Sequence, residues 1–573
     1  MNHWRIYFLM IAIFFLGGLV LAKLFSLQIL KYDYYSALAQ DQHQLYATLF
    51  PQRGEIFMQD LSAQQRDGQE HRSPLAINKE FQQIYLVPKD VPQEEKESLI
   101  DKLAEILDLD KEIISERINK LNDPYEPLKH KVNQDVAQQI KDLNIEGLGL
   151  ISETWRYYPN QILASHLSGF VGMIDEKKIG QYGLEGYYQD KLSGRPGFLT
   201  GEKDIAGYWI PSVNQKIEPA QDGVDLILTI DENIQFKAEK ELSQVIERWK
   251  AESGTIIVME PTTGAILAMV SLPSFNPNEY SKVEDINYFL NPAVQEVYEP
   301  GSVFKPFTMA AGLDSGKVTP DTIYWDEGQI QIKGSFIKNV DGNAYNQQTM
   351  TQVLEKSLNT GAVFVQRTIG EDLFQEYIER FNFHKPTGID LVGEVNGNIS
   401  NLYTGRDINL ATISFGQGIT VTPLGLIMAI GAIANGGNLM KPFIVEKEIY
   451  SDGREVVIQS EVVKQVISSK TSETLTEMLV SVVNNGYGKP ARIDGYDIAG
   501  KTGTAQVADL ELGGYSEDTI HSFVGYAPAF DPKFVILIKL DKPQGIRFAS
   551  DSVSSVFRTM AEYLLNYLEI PPQ

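Results

Sequence analysis

Glu299-Pro300-Gly301-Ser302-Val303-Phe304-Lys305-Pro306-Phe307-Thr308 is the stretch on which the fold and chemistry of this chain turn. Its serine and lysine stand three residues apart at the opening of a predicted helix over 304–313, so they share one helix face. A serine hydroxyl is a weak nucleophile until a base takes its proton. A lysine serves as that base once burial or a neighbouring cation moves its pKa from ~10.4 towards ~7. The shift represents about 4 kcal/mol of environment, so the pair requires a built site. Pro300-Gly301 supplies a turn that permits close approach, and the helix N-terminus favours an anion developing beside Ser302.

The spacing recurs at Ser335-Phe336-Ile337-Lys338, which follows the alternating run 329–333. Alternation predicts a strand, where residues i and i+3 point to opposite faces. Ser335 and Lys338 are therefore a solvated hydroxyl and a solvated ammonium, and Ser302 is the candidate.

Working outward, Asp225-Leu226-Ile227-Leu228-Thr229-Ile230-Asp231 reads as a strand leading into a helix over 233–250. Apolar runs at 254–259 and 265–271, joined by Pro261-Thr262-Thr263-Gly264, read as a hairpin. Helices dominate from Ser302 to Lys501, strands return at 522–526 and 534–540, and an amphipathic helix over 553–568 follows. Strands at both ends with helices between them predict an α+β domain over 222–573, built on one antiparallel sheet assembled from distant segments. Residues 32–221 have another texture. Amphipathic helices at 92–107, 111–121 and 132–143 predict a helical lobe within about 90–147. The polar segment 59–73 reads as a loop, and the turn-rich remainder reads as mixed β structure serving as a spacer or docking module.

The 573 residues suffice for two or three domains. A formal net charge of -25 argues against nucleic-acid partners. The absence of cysteine excludes disulfides, cysteine metal sites and a cysteine nucleophile. Residues 6–22 are uninterrupted by charge, mostly apolar, and long enough as a helix to cross a bilayer core. The flanking Ala22-Lys23-Leu24 is a poor cleavage site, so residues 1–31 read as a short tail and an uncleaved membrane anchor. No later stretch reads as a second span, which places everything from residue 32 onward on one side of the membrane.

Two further motifs join the serine. Ser357-Leu358-Asn359 offers a second hydroxyl for proton shuttling and an amide for substrate carbonyls. Alone this pattern carries little, since Ser212-Val213-Asn214 and Ser274-Phe275-Asn276 repeat it. Lys501-Thr502-Gly503-Thr504, read as lying just before a strand, offers fixed positive charge, hydroxyls for a carboxylate, and a glycine against which a substrate can lie close.

The ordered trio is the signature of penicillin-binding proteins and class A β-lactamases. The chain resembles a class B penicillin-binding protein, a monofunctional peptidoglycan transpeptidase. The resemblance covers nearly its full length: the anchor, Arg53-Gly54-Glu55-Ile56, Arg156-Tyr157-Tyr158-Pro159, Ala164-Ser165-His166-Leu167, the trio, Ser414-Phe415-Gly416-Gln417-Gly418 and Ala434-Asn435-Gly436-Gly437. Two stretches, 251–254 and 271–278, are most similar to the septal cell-division branch.

The resemblance implies a penicillin-binding transpeptidase fold, an antiparallel sheet with helices on both faces, on an elongated α+β pedestal over 32–221. It implies Ser302 as acylated nucleophile, Lys305 as base, Ser357 as relay, Asn359 as substrate-orienting amide and Lys501 as electrostatic support. Thr502 and Thr504 then bind the terminal carboxylate beside Gly503, and the N–H groups of Ser302 and Thr504 form the oxyanion hole. No metal or organic cofactor is implied. The implied partners are stem peptides as donor and acceptor, a polytopic glycosyltransferase, division proteins, and β-lactams as inhibitors. The implied location is the cytoplasmic membrane, with the catalytic domain outside. Elongation-branch duty, β-lactam hydrolysis or D,D-carboxypeptidation on the same fold, and a silent division scaffold are the alternatives. The family's usual Asp-Arg-Asx-Gly segment after Arg-Gly-x-Ile is interrupted here by 57–73.

Overall fold

The computed structural model describes residues 4–31, 44–120, 123–175, 177–203, 209–210, 216–508 and 514–572. The chain forms two compact units, Met1–Arg53 with Ser193–Gly223, and Gly54–Leu192 with Val224–Gln573. The first contains a helix, Trp4–Phe25, whose apolar side chains face outward, and an antiparallel sheet in which Gly197–Lys203 pairs with Gln44–Leu49 and Lys216–Glu218. Phe8–Ile29 is the candidate membrane span among the described residues.

The second unit is built on a five-stranded sheet of β1 (Ser253–Met259), β2 (Ile266–Leu272), β3 (Ala499–Ala508), β4 (Tyr515–Ala527) and β5 (Phe534–Asp541). Its order is β2-β1-β5-β4-β3, and every pairing is antiparallel. Five helices matter for its burial: α1 (Glu232–Trp249), α2 (Lys305–Asp314), α3 (Pro423–Ala434), α4 (Ser469–Asn485) and α5 (Ser554–Tyr567). Alternate residues of the central strands enter two different cores. Ile256, Val258, Ile536 and Ile538 pack with Ala238 and Leu242 of α1 and Phe557 and Met560 of α5. Ile257, Met259, Val535 and Leu537 pack with α3, α2 and α4. Both faces are covered, which is why these strands read as continuous apolar runs rather than as alternation. The helix α3, buried on nearly every side, forms the centre of the larger core.

The predicted helical lobe forms as Lys96–Leu107, Lys111–Ile118 and Gln134–Asp142. Leu99, Leu103, Leu107, Ile114, Ile118 and Ile140 close a separate core on strand residues Ile84 and Leu86. Residue 121, the expected end of the second helix, and residue 32, the expected start of the pedestal, lie outside the described residues. Val132 ends a strand, Glu126–Val132, instead of opening the third helix. A seven-stranded sheet joins Ile56–Gln59, Arg72–Leu86 and two neighbours to Asp225–Asp231, Val445–Ile449 and Glu455–Val457, drawing strands from both sides of residue 222. Arg156 and Glu185 meet as a buried ion pair 2.6 Å apart.

The expectation of a loop over 59–73 is corrected. Leu61–Asp67 is a helix between two paired strands. Asp60 caps it, accepting from the Ala63 N–H at 3.0 Å, while the Leu61 N–H donates to Asp231 at 2.8 Å and the Ser62 N–H to the Tyr567 hydroxyl at 3.2 Å. Its orphan donors are satisfied by a cap and by tertiary partners, so it needs no apolar periodicity, and none is visible in the sequence.

Candidate active site

The stretch 299–308 departs from the predicted single helix. Gly301–Phe304 is a 3₁₀ turn that runs into α2. In a helix of three residues per turn, positions i and i+3 eclipse, which aligns Ser302 with Lys305 more closely than α-helical geometry would. Gly301 has φ 59°, and a Cβ there would come within 2.9 Å of Ala505 on β3, so only glycine fits. The same closeness corrects the expectation for Gly503. A Cβ at 503 would meet the Ser522 hydroxyl at 2.4 Å, Val303 at 2.8 Å and the Pro300 carbonyl at 3.1 Å. That glycine makes room for the chain's own turn, not for a substrate. Lys501-Thr502-Gly503-Thr504 lies within β3, at the edge of the sheet, rather than before it.

Four of the sequence-predicted residues converge. Lys305 Nζ lies 2.9 Å from Ser302 Oγ, 3.1 Å from Ser357 Oγ and 2.6 Å from the Ser357 carbonyl oxygen. Lys501 Nζ lies 2.9 Å from Ser357 Oγ and donates to the Thr502 carbonyl at 3.0 Å. Both lysines are 1% exposed, and Ser302 is 8% exposed. Burial, reinforced by the Lys501 charge, holds the Lys305 amine well below the usual lysine range. Burial alone brings Lys501 down to about 7. Two ammonium groups bridged by one hydroxyl repel each other, so the arrangement favours a single proton shared unequally, held on Lys501 and absent from Lys305.

Ser357 has φ 52°, in the left-handed region that non-glycine residues rarely adopt. Its turn is held by a buried network. Asp326 accepts from the Thr360 hydroxyl at 2.6 Å, from both contacts of the Asn339 amide at 3.1 and 3.0 Å, and from the Gly328 and Tyr345 N–H groups at 3.1 and 3.0 Å. Asn359 lines the cleft, its amide donating to the Lys338 carbonyl at 2.8 Å. The strand Ser335–Lys338, the decoy of the sequence, therefore borders the site without entering the lysine cluster.

Two cavities open on Ser302. The smaller, about 150 Å³, is lined by Thr502, Thr504, Lys356, Tyr487 and Ser550. Thr504 Oγ1 accepts from the Ala549 N–H at 3.1 Å, which leaves its own proton to donate. The larger, about 840 Å³, runs past Asn359, Gln417, Gln506 and Tyr515. Glu299, three residues before Ser302, ties the chain at Gly418 to Tyr515, which lines this groove. Its carboxylate accepts from the Gly418 N–H and the Tyr515 hydroxyl, each at 2.9 Å. Asp326, Tyr487 and Phe548 carry no local sequence signal, because tertiary folding alone brings them to the site.

The family model described as the penicillin-binding protein transpeptidase domain matches residues 254–562, and that of the penicillin-binding protein dimerisation domain matches residues 48–228. The chain belongs to the class B penicillin-binding proteins. Stage V sporulation protein D of Bacillus subtilis is 33% identical over 94% of this chain and 82% of the relative. Peptidoglycan D,D-transpeptidase FtsI of Escherichia coli is 32% identical over 87% of this chain and 82% of the relative. Penicillin-binding protein 2X of Streptococcus thermophilus, 23% identical, shares the fold with a TM-score of 0.75 over 91% of this chain and 80% of that one. The site of this penicillin-binding protein thus stands on a fold shared with penicillin-binding protein 2X over most of both chains.

Proposed function

We propose that this class B penicillin-binding protein is a serine-type peptidoglycan D,D-transpeptidase in which Ser302 is acylated and Lys305 is the base. Peptidoglycan D,D-transpeptidation is the activity named for its relatives. The observation that carries the assignment is the position of Lys305 Nζ between Ser302 Oγ and both oxygens of Ser357. A carbonyl can only accept, so one Lys305 N–H is committed to the Ser357 oxygen. That orientation leaves the lone pair of a neutral amine to receive the Ser302 proton.

Ser302 Oγ bonds to the carbonyl carbon of the penultimate D-Ala as its proton passes to Lys305. The N–H groups of Ser302 and Thr504 receive the oxyanion, where each donor is worth roughly 3 kcal/mol of barrier. The C–N bond to the terminal D-Ala then breaks, and the departing amine takes the proton back through Ser357. Lys501 holds the Ser357 hydroxyl, while Thr502 and Thr504 hold the leaving carboxylate in the small pocket. Asn359 orients the stem amide. An acceptor amine next attacks the ester carbonyl, gives its proton to the same relay, and returns the hydroxyl hydrogen to Ser302 as the ester breaks. β-Lactams acylate the same serine.

Residues 1–31 are assigned to the anchor, 32–221 to the pedestal and 222–573 to the transpeptidase domain, held outside the cytoplasmic membrane. A septal role beside a polytopic glycosyltransferase and division proteins is supported by the likeness of 251–254 and 271–278 to that branch. The chemistry is tested by mass spectrometry of the full-length protein after benzylpenicillin. One adduct on the peptide containing Ser302, with slow release of penicilloate, is expected. An adduct elsewhere, or rapid penicilloate release, overturns the reading.

A further inference from the structure

The larger groove carries three charges that the transpeptidase chemistry does not use. Arg547, Glu517 and Lys338 all line it, and all three are exposed. The Arg547 guanidinium lies over the Phe548 ring, 5.0 Å from its centroid, which fixes the side chain beside Ser302's cleft. Asp551, four residues on, accepts from the Ser550 hydroxyl at 3.3 Å, and other carboxylates of this body have their own partners. Asp541 pairs with Lys539 at 2.5 Å, and Glu252 pairs with Lys542 at 2.7 Å. Glu299 is occupied by Tyr515 and Gly418. Among the described residues neither Arg547 nor Glu517 forms an ion pair, with each other or with any neighbour. One groove therefore presents the anion Glu517 and the cations Arg547 and Lys338 without an ion pair among them, together with the neutral side chains Gln417, Gln506 and Thr519.

The ends of the cleft differ in size and chemistry. The pocket with the two threonine hydroxyls holds about 150 Å³, enough for one small leaving residue. The groove with Asn359 holds about 840 Å³, and the donor stem upstream of the scissile bond has no other described cavity adjoining Ser302 to occupy. A side chain ending in an amine alone would be drawn to Glu517 and repelled by Arg547. One ending in an amine and a carboxylate on the same carbon satisfies both.

We propose that this groove selects donor stems whose third residue ends in a zwitterion, with Arg547 taking the carboxylate and Glu517 the ammonium. The proposal rests on the reading of Ser302 as the acylated residue. The test compares two synthetic stem pentapeptides ending in D-Ala-D-Ala that differ only at the third position, meso-diaminopimelate against L-lysine. Acylation of full-length protein is expressed per site titrated with fluorescent penicillin, which also counts folded protein in each variant. The zwitterionic stem should acylate about two- to fivefold faster, as expected of one exposed charge pair. That ratio should fall towards one in Arg547→Ala and shrink with added salt. In Glu517→Gln both stems should slow together with the ratio largely kept, because both carry the amine. Equal rates in the titrated wild type, or a preference that survives Arg547→Ala, would overturn the proposal. A wild type that takes up no penicillin would instead overturn the Ser302 reading itself, and this inference with it.

Discussion

Full-length protein carrying Ser302→Ala should take up no fluorescent penicillin, and Lys305→Met should slow acylation by about 10²–10⁴-fold, the usual contribution of a positioned general base. Of the two buried lysines, Lys305 alone touches Ser302, at 2.9 Å, whereas Lys501 reaches Ser357. Methionine fills most of the volume without an amine, so the loss reports base chemistry rather than a cavity. Ser335→Ala should still label, since its strand borders the cleft but lies outside the lysine cluster. Quantitative labelling over time in the three variants separates these outcomes. Labelling of Ser302→Ala at the wild-type rate would remove the nucleophile from position 302.

Asp326→Ala should destabilise the transpeptidase body by about 3–5 kcal/mol, a magnitude typical of removing the hub of a buried polar network. Asp326 is fully buried and receives donors from Thr360, Asn339, Gly328 and Tyr345. An alanine strands all four sets of donors away from water. Two of them, Thr360 and Asn339, flank the turn that keeps Ser357 in its left-handed conformation. Acylation measured below the unfolding transition should therefore also fall, through a misplaced relay. A loss under about 1 kcal/mol in denaturant titration would show that the network is not what holds the turn.

The relation of sequence to site differs from element to element. The pairing of Ser302 with Lys305 was legible because it is local, and a helical period suffices to place one above the other. The antiparallel sheet was legible because its central strands, buried on both faces, are apolar without interruption. The helix Leu61–Asp67 was hidden, since it is held by Asp60, Asp231 and Tyr567 instead of an apolar stripe. The role of Gly503 was misread because its neighbour is the Pro300–Val303 turn, two hundred residues earlier in the chain, and no local pattern encodes that contact. The place of Asp326 and the partners of Glu299 were invisible for the same reason: a carboxylate's partners are a property of the folded chain.

The central claim is that Lys305 is neutral where it touches Ser302. It is tested most directly by the pH dependence of the second-order acylation of Ser302 by benzylpenicillin. Burial and the Lys501 charge hold the Lys305 amine well below the usual lysine range, so the rising limb should end well below pH 10. The rate should then decline on the alkaline side as Lys501, held down to about 7, loses the charge that supports Ser357. The two limbs belong to the coupled pair, and together they predict a bell whose maximum lies well below the ordinary lysine range. A rate that instead climbs about tenfold per pH unit up to the ordinary lysine range near ~10.4 would contradict the account.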